Sequence, residues 1–539
     1  MQRSRLFLLV LGATASACAS SGRLIGRTEY AISADSLRHR LDDFSADSML
    51  GRSYLDVGHD RATNYLAREA QRVGLEPAGE NGGWFQTFHM FSRRLSQESR
   101  IQVGESTLVP QRDFKVFTFG LGKPRSFNGV RVIYGGIVGD TSTQIGADAA
   151  SARIVLLGVP ADMSPNHVYR NVGYGPTSRF GKAAAVVIAS LDYLPLPQRA
   201  ITPAVGILDP TTSRADAQPS TILVTRNAAT LLLGGSLDGA VAGALGRIVV
   251  DLIAVEERDI PTRNVVAVLR GSDSVLARTF VALGAHSDHL GVRAVAVEHD
   301  STRAVALGRR QFGEDASAAQ IAVLHDSLMR LHRPRLDSIF NGADDDGSGS
   351  VALLEVARAL SSGRRPQRSV LFVWHAAEED DLVGSSWFVQ HPTVPLDSIV
   401  AQINLDMVGR GGVSDIKNGG PRFLQVIGST RRSVDLWPMI EDANVKAVSR
   451  FAIDTVDTEG AYCRSDHWSY AKFGIPVAFL TTGAHADYHA VTDEAKYIDY
   501  AKLTAVSQFT VDIVRALATR SARLSVYGPK PNPSGFCPG

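Results

Sequence analysis

The stretch Val370-Leu371-Phe372-Val373-Trp374, followed closely by Ala377-Glu378-Glu379, decides how this chain is read. A short apolar run without polar alternation is the pattern of a strand buried on both faces, and such strands belong to parallel sheets covered by helices. This one ends at a pair of carboxylates. Three more runs repeat the pattern: Phe280-Val281-Ala282-Leu283, Ile399-Val400-Ala401-Gln402-Ile403 and Pro476-Val477-Ala478-Phe479-Leu480. Helical stretches separate them. From Val265 onward the chain therefore predicts an α/β domain with a mixed, largely parallel sheet flanked by helices.

In open sheets of this kind, ligands bind outside the carboxyl ends of the strands. Residues that follow the four runs must then converge: His286 and Asp288, Glu378 and Glu379, Asp406, and His489. Between the first and second runs lies the acidic, glycine-rich turn Asn341-Gly342-Ala343-Asp344-Asp345-Asp346-Gly347-Ser348-Gly349, which leads into the apolar helical segment Val351 to Leu360. Imidazole nitrogens and carboxylate oxygens at one rim suit zinc. So many like charges would repel one another without cations. Each motif is weak alone: His-x-Asp recurs at His485-Ala486-Asp487, paired glutamates often begin solvated helices, and an aspartate run can be a turn or a calcium loop. Their order and strand-end placement give them weight.

Upstream, the segment from Ile32 to Met90 carries helical patterning, with Ala62, Tyr65, Leu66, Ala70 and Val73 on one face and Gly74 ending the run. From Gln111 the texture changes to short apolar runs, Val130 to Tyr134, Ile154 to Leu157, Ala184 to Ile188 and Ile222 to Val224, as expected for a β-rich unit.

The amino end reads as an export signal. Arg3 and Arg5 precede the apolar run Leu6 to Leu11, and small residues lead to Cys18. The run falls short of the about 20 residues that span a bilayer. Cys18 follows Ala15-Ser16-Ala17, similar to a lipoprotein processing site that would anchor the chain to a bacterial membrane, although leucine usually stands where Ala15 is; cleavage at an Ala-x-Ala site with full secretion is the other reading. An oxidising compartment would then permit one bridge between Cys463 and Cys537. The 56 basic residues balance 55 acidic ones, for a net charge of +1 with no long basic run, so no nucleic-acid partner is expected. With 44% hydrophobic and 21% charged residues, the composition is that of a packed globular protein.

Taken in order, His286-Ser287-Asp288-His289-Leu290-Gly291, Asn341 to Gly349, Ala377-Glu378-Glu379, Asn404-Leu405-Asp406-Met407-Val408-Gly409-Arg410, Ser465-Asp466-His467 and Tyr488-His489 resemble the M28 family of zinc metallopeptidases, the aminopeptidase and glutamate-carboxypeptidase group. The resemblance implies the zinc exopeptidase fold and two zinc ions. Asp345 would bridge them, with His286 and Asp406 completing one site and Glu379 and His489 the other. Asp288 would orient the ring of His286, Glu378 would be the general base, and Tyr488 would polarise the scissile carbonyl. The implied activity is that of an exported aminopeptidase acting on peptides, with a carboxypeptidase or dipeptidase of the same family as the alternative. A binding module without catalysis would have lost ligands, and none is missing; cyclisation of amino-terminal glutamine is another chemistry open to this scaffold.

The β-rich unit resembles the protease-associated domain that several exopeptidases carry as an insert. The expected organisation is a signal segment over 1–18, the first part of the peptidase domain over 30–110, the protease-associated insert over 111–254, the catalytic domain over 255–527 and a Pro/Gly-rich tail over 528–539. Asp346 stands where family members often have asparagine and Asp381 where they usually have glycine, which predicts a more acidic rim. The long stretch from Leu290 to Asn341, helical around Ala316 to Leu331, would form a lid carrying His325 and His332 on its surface.

Overall fold

The computed structural model describes residues 31–528 apart from 118–126, 162, 164–178, 195–198, 200–203, 208–218, 314–315, 332, 417–418 and 458–459. The export segment with Cys18, His332 and Cys537 lie outside the described residues. A ten-stranded sheet forms the larger unit. Its principal strands are β1 (Phe85–Leu95), β2 (Val255–Leu269), β3 (Phe280–His286), β4 (Ser369–His375), β5 (Ile399–Leu405) and β6 (Val477–Thr481). Across it the order is β6, β5, β3, β4, β2, β1. The central four are parallel, and β2 and β1 run antiparallel to their neighbours.

Every residue of β3, β4 and β5 is buried, as the unalternating runs predict. The reason is visible along β4. Val370, Phe372 and Trp374 belong to one packed layer while Leu371 and Val373 belong to the layer on the opposite face, so the two-residue period of a strand places apolar side chains in both. The first layer is closed by the helices α1 (Val57–Arg72), α3 (Gly349–Ser362) and α4 (Tyr500–Thr519). Helix α1 buries the expected face, Ala62, Tyr65, Leu66 and Ala70, and starts where Asp56 accepts from the amide of Gly58. It stops before Gly74, whose φ of 89° is open to glycine without strain. The helical reading does not hold to Met90. Phe88 and Met90 are buried in alternation with exposed Thr87 and His89, a strand period that the preceding helix pattern hid.

A second sheet of eight strands is built from segments between Arg100–Val103 and Leu245–Leu252 and has its own apolar layers. It begins ahead of Gln111, because Arg100–Val103 and Ser106–Leu108 already pair within it. The connection to the main sheet is a long ladder: β1 and β2 pair from Phe85 against Val265 to Leu95 against Val255. One segment within the insert, Ala204–Ile207, pairs back onto β1 at Met90 to Arg93.

Between β3 and β4 the chain makes an excursion consisting of the hairpin Gly291–Glu298 with Leu336–Phe340, helix α2 (His299–Phe312) and the helix Ala318–Met329. The last matches the expected helical stretch; α2 and the hairpin were not legible. His299 bonds Glu494 at 3.0 Å, Arg335 also pairs with Glu494, and Arg303 donates to Asp487 at 2.6 Å. His325 lies 3.4 Å from Glu298.

Arg52 fixes the floor beneath the strand ends. It is fully buried and donates to four main-chain carbonyls: Ser287 at 3.2 Å, Asn341 at 2.5 Å, Gly342 at 2.8 Å and Asp345 at 3.1 Å. Its neighbour Gly51 packs so closely that a Cβ there would lie 2.4 Å from the carbonyl oxygen of Gly291.

An unpaired buried polar group costs about 1–3 kcal/mol, so Arg52→Met should lower the unfolding free energy by several times that increment in urea titration. An unchanged midpoint would mean the carbonyls find other partners. At the excursion, burial pushes Glu494 up, but the bonds from His299 and Lys496 and the charge of Arg335 prevail and hold it at about 2, below its ordinary 4.5. A depressed carboxylate stabilises above its unfolded pKa, and that contribution is lost as pH falls through the folded value. Amide exchange in α2, corrected for intrinsic rates, should therefore accelerate from pH 4.5 towards pH 2. Glu494→Gln should show the faster exchange already at neutral pH, and equal protection in variant and native would refute this.

Candidate metal centre

The carboxyl ends of β3, β4 and β5 deliver the expected residues to one place, and the loop before α3 brings Asp345 between them. One oxygen of Asp345 is 3.1 Å from Nε2 of His286 and the other 3.2 Å from Nε2 of His489. Around the first histidine, Oδ1 of Asp406 lies at 3.6 Å and Oε2 of Glu378 at 3.8 Å. Around the second, Oε2 of Glu379 lies at 2.9 Å. All five expected ligands thus form two groups sharing Asp345. His489 is partly exposed and the others are largely buried.

The donors fit a divalent cation. His286 Nε2 and Asp406 Oδ1 are buried without a hydrogen-bond partner and lie 3.6 Å apart, and Asp345 Oδ2, turned towards His489, is likewise buried and unpartnered. Ligand atoms of His286, Asp345 and Asp406 lie within 4.8 Å of one another, as do those of His289, Asp345 and Glu379. One or two nitrogens with carboxylate oxygens is a zinc donor set. Against the cost of burial, the contacts to His286 and His489 hold Asp345 well below the usual carboxylate range. The same pairing, opposed by burial, raises His489 to about 10.

The surrounding groups position these ligands. Ser465 donates to Oδ2 of Asp406 at 2.6 Å and accepts from Asn404 at 2.8 Å, leaving Oδ1 to the site. Asp493 accepts from the amides of Asp344 and Asp345, which sets the turn that presents Asp345. Three positions next to or within the ligand set have positive φ: Ala377 at 53°, Met407 at 57° and His489 at 56°. Non-glycine residues in this region are strained and cluster at functional sites.

Asp288 is placed differently from expectation. Nδ1 of His286 bonds the main-chain carbonyl of Asp288 at 3.2 Å, while the Asp288 carboxylate lies 3.8 Å away and accepts from the amides of Glu378 at 3.1 Å and Glu379 at 3.4 Å. The chain turns sharply after β3, and this aims the side chain at the amides after β4. Burial raises Asp288 to about 7. Asp346 is not a rim charge: it is fully buried and accepts from the amides of His286, Gly349 and Met407. Asp381 is exposed.

Glu378 faces a cavity lined also by Asp345, Asp406, Met407, Gln425, Arg464, Phe479 and Tyr488. Burial, together with the charges of Asp406, Asp466 and Glu379, holds Glu378 well above the usual glutamate range against the pull of His286. Tyr488 stacks on the ring of His489 with centroids 3.8 Å apart. His289, within the first motif, also reaches the ligand set. Its Nδ1 lies 2.6 Å from Oε1 of Glu379, a contact that strand periodicity cannot reveal because it depends on the turn after β3.

Residues 264–514 match Peptidase family M28. Leucine aminopeptidase 1 of Sclerotinia sclerotiorum is 30% identical over 216 residues, which cover 38% of this chain and 54% of that one. Leucine aminopeptidase 1 of Fusarium vanettenii is 32% identical over 215 residues, covering 38% and 53%. The chain spans about half the length of the curated relatives it matches. An aminopeptidase from Aneurinibacillus sp. strain AM-1 aligns with a TM-score of 0.52 at 16% identity, over 93% of this chain and 97% of that one, a likeness of fold. With the ligand set assembled at the strand ends as well, residues 264–514 of this chain belong to peptidase family M28.

Proposed function

We propose that the protein is an exported di-zinc aminopeptidase that hydrolyses residues from the amino end of peptides. The observation that carries this reading is the pair of ligand groups sharing Asp345, with the Glu378 carboxylate beside them on an open cavity. Zinc ions bound there would polarise the scissile carbonyl and make water acidic enough to deprotonate near neutrality. Glu378 takes the proton of the attacking water and passes it to the leaving amine. Positive charge at the two groups lowers Glu378 towards the ionised form this role needs. Tyr488, raised by burial and the charges of Asp345, Glu379 and Asp406, stays protonated and donates to the developing oxyanion.

The acidic cavity suits a free amino group, and its Met407 and Phe479 suit an apolar side chain. Two relatives similar to this chain are leucine aminopeptidases, which agrees with this choice. A carboxypeptidase or dipeptidase is the second reading, favoured by Arg464, whose guanidinium at the same cavity complements a carboxylate. Export rests on residues 3–18. It is supported by the disulfide at Cys463, which needs an oxidising compartment and whose partner lies outside the described residues. Cys18 is the lipid attachment point in this reading, with release after an Ala-x-Ala cut as the alternative, and the eight-stranded insert is read as a protease-associated domain.

Incubation of the zinc-loaded protein with peptides bearing free or acetylated amino ends should give stepwise loss from free amino ends only, read by mass spectrometry. Glu378→Gln should reduce kcat by about 10²–10⁴, the usual share of general base catalysis, while still binding zinc. Loss from carboxyl ends of both peptide sets would replace this reading with the carboxypeptidase.

A further inference from the structure

We propose that His289 is a positioning residue for Glu379, holding one carboxylate oxygen so that the other is presented to the second cation site; this rests on the di-zinc reading. The two oxygens of Glu379 are divided between two histidines. Oε1 is 2.6 Å from Nδ1 of His289, and Oε2 is 2.9 Å from Nε2 of His489. The two rings meet edge to face, with centroids 5.8 Å apart.

Of the two contacts of Glu379, the one to His289 is the shorter. Ligand atoms at about 2.0–2.1 Å from a tetrahedral zinc sit about 3.3 Å from each other. The contacts of Asp345 to His286 and His489, at 3.1 and 3.2 Å, are close to that spacing. The 2.6 Å contact of His289 is well inside it and is the length of a charge-assisted hydrogen bond. At that length His289 holds Glu379 by a direct hydrogen bond.

The surroundings fix the ring and its proton. His289 is buried, and its Nε2 has no hydrogen-bond partner, so the proton belongs on Nδ1, where the carboxylate accepts it. One side of the ring lies flush against Gly342, where a Cβ would come within 2.5 Å of its Cδ2. Gly342 has a φ of 55° and its carbonyl is held by Arg52, so the surface that seats the ring is itself fastened. Without the bond, Glu379 is free to rotate about its last torsion and to turn either oxygen, or both, towards the site.

The test measures the affinity of both zinc ions by competition with a chromophoric chelator, using the full chain. His289→Ala should weaken one of the two ions by about 10–100-fold, the usual effect of removing a group that orients a metal ligand, and leave the other unchanged. His289→Asn, whose amide N–H lies near the position of Nδ1–H, should restore most of the loss. Melting of the metal-free variants should match the native protein. Two ions bound as tightly in His289→Ala as in the native protein would overturn the proposal. So would an Asn variant as weak as the Ala variant, which would make the ring itself a ligand. A native protein that holds fewer than two ions would instead remove the di-zinc reading, and the proposal with it.

Discussion

Carboxylates forced together away from water repel one another, and the architecture around the end of the central sheet is arranged around that cost. Asp345, Glu378, Glu379 and Asp406 share one small, largely buried volume, with imidazoles as the cationic partners nearest to them. Such a cluster is tolerable in two ways: some groups stay protonated, or cations enter. The separation of the pair in β4's loop follows from this. Glu379, between two histidines, is held at about 2, whereas Glu378, beside the other carboxylates, is pushed up. Adjacent residues of identical type thereby acquire different tasks.

Holding that cluster in place requires neutral dipoles as well as charge. The acidic turn is hung from both sides: Arg52 grips its carbonyls, and Asp493 accepts its amides. Asp346, interior to the turn, ties β3, α3 and the residues after β5 through three amides. The site is thus braced by main-chain hydrogen bonds to buried ionisable side chains, which keep their geometry because water cannot compete for them.

Much of this was legible in the sequence. The strands β3 to β6 were visible because apolar side chains on both faces leave no polar alternation, and His286, Glu379, Asp406 and His489 were visible because they follow those strands, whereas Asp345, in the acidic turn, was named only through the family resemblance. What escaped detection depends on direction rather than on composition. The side chain of Asp288 was expected on His286 and is found on the amides of Glu378 and Glu379, since the turn after β3 swings it across to the neighbouring strand. Asp346 looked like a surface charge because a carboxylate in a glycine-rich loop usually is one; only the fold shows three amides pointing at it. The strand β1 was masked by the helix pattern of α1 before it, and α2 by its polar first turn, His299-Asp300-Ser301-Thr302.

The strand Ala204–Ile207 has a consequence for how this chain can be altered. The insert leaves the main sheet and returns to it along the β1 and β2 ladder, so its ends lie side by side, the arrangement that lets a module be gained or removed by a simple splice. Yet the module also lends a strand back, covering β1 from Met90 to Arg93. A clean excision would leave those backbone groups bare at the rim of the sheet, open to pairing with a second molecule. The insert thus completes the edge of the sheet from which it departs, and the two units share one hydrogen-bonded ladder.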